Sequence, residues 1–148
     1  MANELFSSMH IGAAGMSAQR SRMDIVAENI ANAESTRTRE GGAYRRRQVI
    51  FQATPMGQNF SDVFKGSMER GGRQSVQVVG VEQDPRPFRK VHDPAHPDAN
   101  AEGIVELPNV NMVEEMVDMN SAARSFEANV TTMEASKRMF MKSLELLR

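Results

Sequence analysis

The last part of the chain carries apolar residues at a spacing of seven, which only a long helix uses. Counting back from Leu147 gives Phe140, Met133, Phe126, Met119 and Met112, all apolar. The companion positions, three residues before the first five of these, are Leu144, Lys137, Val130, Ala123 and Met116, so Lys137 is the one interruption. Alternating apolar spacings of three and four, sustained this far, form the seam of a coiled-coil-like helix. Asn111 is placed to cap the first turn with Glu114 as its capping-box partner, and Pro108 lies just outside. From Asn111 onward such a helix is about 55 Å long at a rise of 1.5 Å per residue, too long for a compact domain of this size to cover. Val113, Val117, Met141 and Leu146 widen its apolar surface beyond one stripe. Cover from a further chain is therefore expected.

A second, weaker pattern opens the chain. Met9, Met16, Met23 and Ile30 are seven apart, and Leu5, Gly12, Gln19, Val26 and Ala33 fill the alternate seam less consistently. Gly12 and Gly15 each weaken a helix interior by about 1 kcal/mol relative to Ala, so the part before Met16 is expected to kink or to order only when packed. The small residues Ala13, Ala14 and Ala18 allow close backbone approach. The expected fold is mainly α with a small β-rich middle region, its long N- and C-terminal helices packing coiled-coil-like and completed by neighbouring subunits. The expected boundaries are 1–36 for the N-terminal helix, 37–108 for the β and loop region, and 109–148 for the C-terminal helix. The expected assembly interface comprises Met9, Met16, Met23, Val26 and Ile30 on the first helix. On the second it comprises Met112, Met116, Met119, Ala123, Phe126, Val130, Met133, Phe140, Leu144 and Leu147.

The middle of the chain reads differently. "EGGAYRRRQVIFQATP" is a turn and a strand ending near Pro55, "SVQVVGVEQD" a second strand, and "GIVELP" a third closing at Pro108. In the second, Val76 and Val78 alternate in one phase and Val79 and Val81 in the other, which suggests a bulge near Val78. The stretch from Met56 to Ser75 is rich in Gly and polar residues and reads as a loop.

Chemistry is mostly excluded. The twelve methionines fall largely on the seams, where an unbranched, polarizable side chain adapts to unlike contacts. There is no cysteine, which removes disulfides, thiolate nucleophiles and cysteine metal sites. Phosphate-binding glycine loops and helical zinc motifs are missing. "HDPAHPD" sets His92 and His96 four apart, but Pro94 and Pro97 preclude the helix that would make this a ligand spacing, so no metal is expected. The basic run Arg45, Arg46, Arg47, with Arg37 and Arg39 upstream, lacks aromatic interleaving and the net charge is −1, so pairing with acidic groups of a neighbouring subunit is expected over nucleic acid. Glu114 and Glu115 have no pocket to support acid–base catalysis. No stretch approaches a membrane span, and the N-terminus has neither a basic start nor an unbroken apolar run like a conventional signal peptide. No cofactor, small-molecule substrate or membrane insertion is expected.

"GMSAQRSRMDIVAENIANAESTRT" resembles the N-terminal signature of the bacterial flagellar rod and hook family, with its small-residue step, Arg-Met-Asp, and Asn-Ile-Ala-Asn followed by Thr. "GGAYRRRQVIF", "DPRPFRKVHDPAHPDANAEGIVELPNVNMVEEMVDM" and "RSFEANV" resemble, in that order and over nearly the whole length, a proximal-rod member of that family. Gly12-Ala13-Ala14 stands where a serine precedes the Gly in the family pattern, and Asn120 where an apolar residue is usual. The resemblance implies a non-enzymatic axial protein whose terminal helices pack together and against neighbours as the inner tube of the periplasmic rod. Its implied partners are other copies, other rod proteins and the flagellar type III export apparatus, through which it leaves the cytoplasm without a cleaved signal peptide. The competing readings are a helical adaptor closing into a four-helix-bundle dimer and a small metal-dependent enzyme using His92 and His96.

Overall fold

A computed structural model describes residues 2–39, 41–56 and 74–146. The order is α1 (Ala2–Ala31), β1 (Arg47–Pro55), β2 (Gln74–Gln83), β3 (Arg89–His92), β4 (Ile104–Leu107) and α2 (Met112–Leu146). The chain is thus mainly α with a small β-rich middle. The strands form two two-stranded sheets, β1–β2 and β3–β4. In the second, Val91 lies opposite Val105 in an antiparallel register. The loop expected between Met56 and Ser75 lies largely outside the described residues, as does Leu147.

Two local features depart from the sequence expectation, and the start of α1 follows one of the two alternatives expected for it, order with packing rather than a kink. α1 is one helix from Ala2 to Ala31 without a break at its glycines; Gly12 and Gly15 lie against Asn129 and Met133, so packing offsets their low propensity. β3 was not legible, because Arg-Lys-Val-His offers one apolar residue and stands between Pro87 and Pro94. β2 shows no change of phase, since burial alternates regularly from Val76 to Val81. Its valines occupy both faces, with Val79 and Val81 outward.

The chain's described residues fall into two compact units. One draws on Met1–Ser21, Ile50–Gly80 and Ala122–Arg148, the other on Arg22–Val49 and Val81–Ser121. Ala18 and Ala122 are buried in the first, and Val26, Ala33, Tyr44, Val105 and Val110 in the second. Most of these are small. The largest side chains fully withdrawn from solvent are instead Glu115, Asn29 and Pro108. This interior is unusually polar, so hydrogen bonding has to account for groups whose burial alone would be unfavourable.

Candidate assembly surface and buried polar junction

α1 ends because Asn32 turns on its own helix. Its Nδ2 donates to the Glu28 carbonyl at 2.9 Å, and the Ser35 amide donates to the Asn32 carbonyl at 3.1 Å as the chain turns away. This brings Tyr44 and the three following arginines back past the last turns of the helix. Asn29 is the receiver. Its Nδ2 donates to the Arg47 carbonyl and to Glu115 Oε2, both at 2.9 Å. Its Oδ1 accepts from Tyr44 Oη at 2.9 Å and from the Arg47 amide at 3.0 Å. An asparagine has two donors and two acceptor sites, and all four are filled.

Glu115 enters the same junction from the first turn of α2. Its Oε1 accepts from Arg46 Nε at 2.6 Å, and its side chain has no solvent exposure. A buried carboxylate is tolerable only when its charge and lone pairs are matched, and Arg46 with Asn29 supplies that match. Arg46 continues to Asp84, whose Oδ2 also accepts from Gln48 Nε2 at 3.0 Å and Arg86 Nε at 2.8 Å. The Arg86 hydrogen bonds hold the Asp84 carboxyl well below the usual carboxylate range, overcoming the opposite effect of burial. Asn109 closes the network, accepting from the Arg46 amide at 2.8 Å and donating to the Arg86 carbonyl at 3.1 Å. Burial, reinforced by the Glu28 carboxylate, pushes the Tyr44 hydroxyl up to about 12.

In the same unit the outward side of α2 is apolar. Met112, Val113, Met116 and Val117 are 40%, 69%, 54% and 65% exposed, while Glu115 between them is 0% exposed. The usual helix buries its apolar stripe and exposes its charges; these turns expose valines and methionines and withdraw Glu115, with Glu114 alone of their two acidic residues at the surface. In the other unit, Met139, Met141 and Leu144 are likewise exposed.

The residues expected to form the interface are distributed unevenly. Val26 is buried; Met9, Met16, Met23, Ile30, Met119, Ala123, Phe126, Val130, Met133 and Phe140 are half-buried; Met112, Met116 and Leu144 are exposed. Phe140 meets Phe6 at 5.5 Å between ring centroids. Lys137 is exposed. At the start of α2, Asn111 Oδ1 accepts from the Val113 amide at 3.1 Å and Asn111 Nδ2 donates to Glu114 Oε1 at 3.2 Å. Glu114 therefore meets the side chain of Asn111. His92 and His96 do not converge: His96 Nδ1 accepts from the Asp98 amide at 3.1 Å, and the His92 ring packs toward Gly103. No cluster of three or more metal-binding side chains occurs among the described residues. Among them, too, no helix is long and apolar enough to cross a membrane.

Residues 9–37 match the family described as flagella basal body rod protein, and residues 101–146 match the C-terminal family of the flagellar basal body rod FlgEFG proteins. Over 97% of its length the chain is 44% identical to the flagellar basal-body rod protein FlgC of Borreliella burgdorferi, covering 98% of that protein. It is 43% identical to FlgC of Bacillus subtilis over 95% of the chain and 97% of the relative, and 35% identical to that of Salmonella typhimurium over 96% and 97%. The chain belongs to the FlgC family. As a member it is a structural rod subunit and not an enzyme.

What sequence reasoning missed in this FlgC-family chain is the side of each helix that meets the other. In one unit Ser8 meets Ser136 and Gly15 meets Asn129; in the other Arg22 pairs with Asp118 and Asn29 with Glu115. Ser8, Gly15, Arg22 and Asn29 are themselves seven apart, as are Glu115, Ala122, Asn129 and Ser136. Their numbers run in opposite senses, so within each unit the helices are antiparallel. A search for apolar periodicity passes over this second heptad because its members are small or polar. The signal that points to it is the run of small residues around Gly12 and Gly15. A Cβ on Gly15 would stand 2.9 Å from Asn129 Nδ2, closer than side chains pack.

Proposed function

We propose that this rod subunit polymerises through the apolar side of α2, which neighbouring subunits cover by coiled-coil-like packing. The observation that carries the reading is the inverted character of α2's first turns, where valines and methionines face out and a carboxylate faces in. Exposed apolar patches of this kind mark interaction surfaces. On this reading Met112, Met116, Met119, Ala123, Phe126, Val130, Met133, Phe140, Leu144 and Leu147 meet neighbours together with Met9, Met16, Met23 and Ile30, while Val26, already buried within the chain, supports that surface from behind. Asn111 and Glu114 fix where the surface begins. Segments 1–36 and 109–148 form the inner tube of the proximal rod around an export channel, and 37–108 forms its outer layer. The subunit reaches the periplasm through the flagellar type III export apparatus without a cleaved signal peptide, and its partners are other copies and other rod proteins.

The test uses detergent-washed flagellar basal bodies. The wild-type protein is expected to remain in them, whereas Val113→Asp with Val117→Asp, which places two carboxylates on an apolar contact, is expected to be exported yet missing from them. Motile cells with intact rods carrying both substitutions would overturn the proposed surface.

A further inference from the structure

We infer that a cationic cleft beside the end of α1 receives the acidic β3–β4 loop of a second copy of the chain, an inference that rests on the rod-subunit reading. The cleft has a volume of about 580 Å³ and is lined by Arg37, Arg39, Arg45 and Arg47, with Glu28 and Phe88. One of the four guanidinium groups is neutralised, since Arg47 Nη1 donates to Glu28 Oε1 at 2.8 Å. Arg45 stacks on Phe88, 4.4 Å from the ring centroid, and donates to the Asp84 carbonyl at 3.1 Å, so it is held in place without a carboxylate. Arg37 and Arg39 are exposed and have no carboxylate partner among the described residues. In the lining four arginines therefore face a single acidic residue, Glu28.

The complementary surface is the loop that sequence reading singled out and the rod reading leaves unused. From Asp93 to Gly103 it contains Asp93, Asp98 and Glu102 and no Lys or Arg. The loop is already ordered. The Asp93 amide donates to the Gly103 carbonyl at 2.9 Å, Asp93 Oδ1 accepts from the Ala95 amide at 3.1 Å, and Asn100 Oδ1 accepts from the amides of Glu102 at 3.0 Å and Ile104 at 2.8 Å. Gly103 closes it at a φ of 72°, where a Cβ would stand 3.0 Å from the His92 ring. Asp98 is tied to Thr36 Oγ1 at 2.8 Å, while Asp93 and Glu102 are exposed and carry no ion pair among the described residues.

Unmatched arginines and unmatched carboxylates therefore coexist in one unit without meeting. A second copy can bring them together, in a contact that repeats from subunit to subunit when it is heterologous. A preordered loop loses little freedom on docking, and opposite charges select the register. Nucleic acid is a poorer occupant, because Glu28 lies in the cleft and Arg45 already covers the Phe88 ring.

The natural chain has no cysteine, so introduced ones are unique. Full-length Thr38→Cys and Ala101→Cys variants with different tags are co-expressed, and a short bis-maleimide is applied to detergent-washed basal bodies. The expected product is a cross-link between the two tags. Arg37→Glu with Arg39→Glu should lower its yield by on the order of tenfold, and adding Asp93→Lys with Glu102→Lys in the other copy should restore it. The inference is overturned if both variants are retained without a cross-link, if charge reversal leaves the yield unchanged, or if the thiol of the Thr38→Cys variant links to a different protein. Absence of the unsubstituted protein from basal bodies would instead defeat the rod reading, and this inference with it.

Discussion

The two units bring α1 and α2 together by different chemistry. In the unit containing Asn29, a fully buried carboxylate, a filled asparagine and a bound arginine join the two helices to the segment leading into β1. In the unit containing Gly15, the contacts are a 3.4 Å Ser8–Ser136 hydrogen bond, the Phe6–Phe140 ring pair and close approach at Gly15. Hydrogen bonds between charged groups, withdrawn from water, are directional and costly to leave half-made. A hydroxyl pair, an apolar ring pair and a close backbone approach are less directional and permissive of alternatives. The comparison teaches that this chain defines its geometry at one set of turns and leaves another free to adapt, as the proposed packing against neighbouring subunits requires.

The largest test of that contrast is Glu115→Leu. Removing one partner of a buried charge pair leaves Arg46 with only its 3.4 Å contact to Asp84 and one Asn29 N–H without its acceptor, and should cost about 3 to 5 kcal/mol in urea unfolding followed by circular dichroism. Ser136→Ala, on the same heptad in the other unit, should cost less than about 1 kcal/mol. Equal losses would remove the distinction between the units.

Titration sharpens it next. Asp84 has a folded pKa below its unfolded value, so its stabilising effect is present above roughly pH 4 and fades as pH falls through the folded pKa. Asp84→Asn should flatten that acid limb. Tyr44 is shifted the other way, from 10.0 to about 12. The unfolded phenol ionises first, so stability is retained below about pH 10 and declines as pH rises from there to about 12. Tyr44→Phe should lose about 1 kcal/mol at neutral pH, the net value of one hydrogen bond, while showing a shallower alkaline decline. An unchanged alkaline slope would place the Tyr44 hydroxyl outside the junction.

A smaller effect separates two glycines on one helix. A Cβ at Gly12 meets nothing nearer than 3.9 Å, so Gly12→Ala should stabilise α1 by about 0.5 to 1 kcal/mol. Gly15→Ala must displace the end of the Asn129 side chain and should gain less. Equal gains in thermal unfolding would show that Asn129 moves freely and that close approach there is not selective.

The smallest effect on the fold belongs to Val113→Asp and Val117→Asp, both at positions more than half exposed. Each should change monomer stability by no more than about 0.5 kcal/mol. A loss of several kcal/mol would mean that this side of α2 already has cover within the chain.

Much of the architecture was written in local pattern. The heptad from Met112 marked α2, Asn111 marked its start, and alternating valines marked β2, because periodicity and capping depend on near neighbours in sequence. β3 was hidden, since its four residues gain their strand character from pairing with β4 across a loop. The terminal seams identified which residues are apolar but not which of them the chain covers by itself. That depended on Tyr44, Arg46 and Asp84, whose partners lie 15, 69 and 38 residues away in sequence. No spacing rule relates an asparagine near the end of one helix to a glutamate at the start of another. The sequence by itself determined two long helices, a β-rich middle and an excess of apolar surface. The tertiary structure decided that the helices meet largely through small and polar residues, with the Phe6–Phe140 ring pair beside them, because only a folded chain can surround Glu115 with the donors that make its burial tolerable, leaving the valines beside it outside.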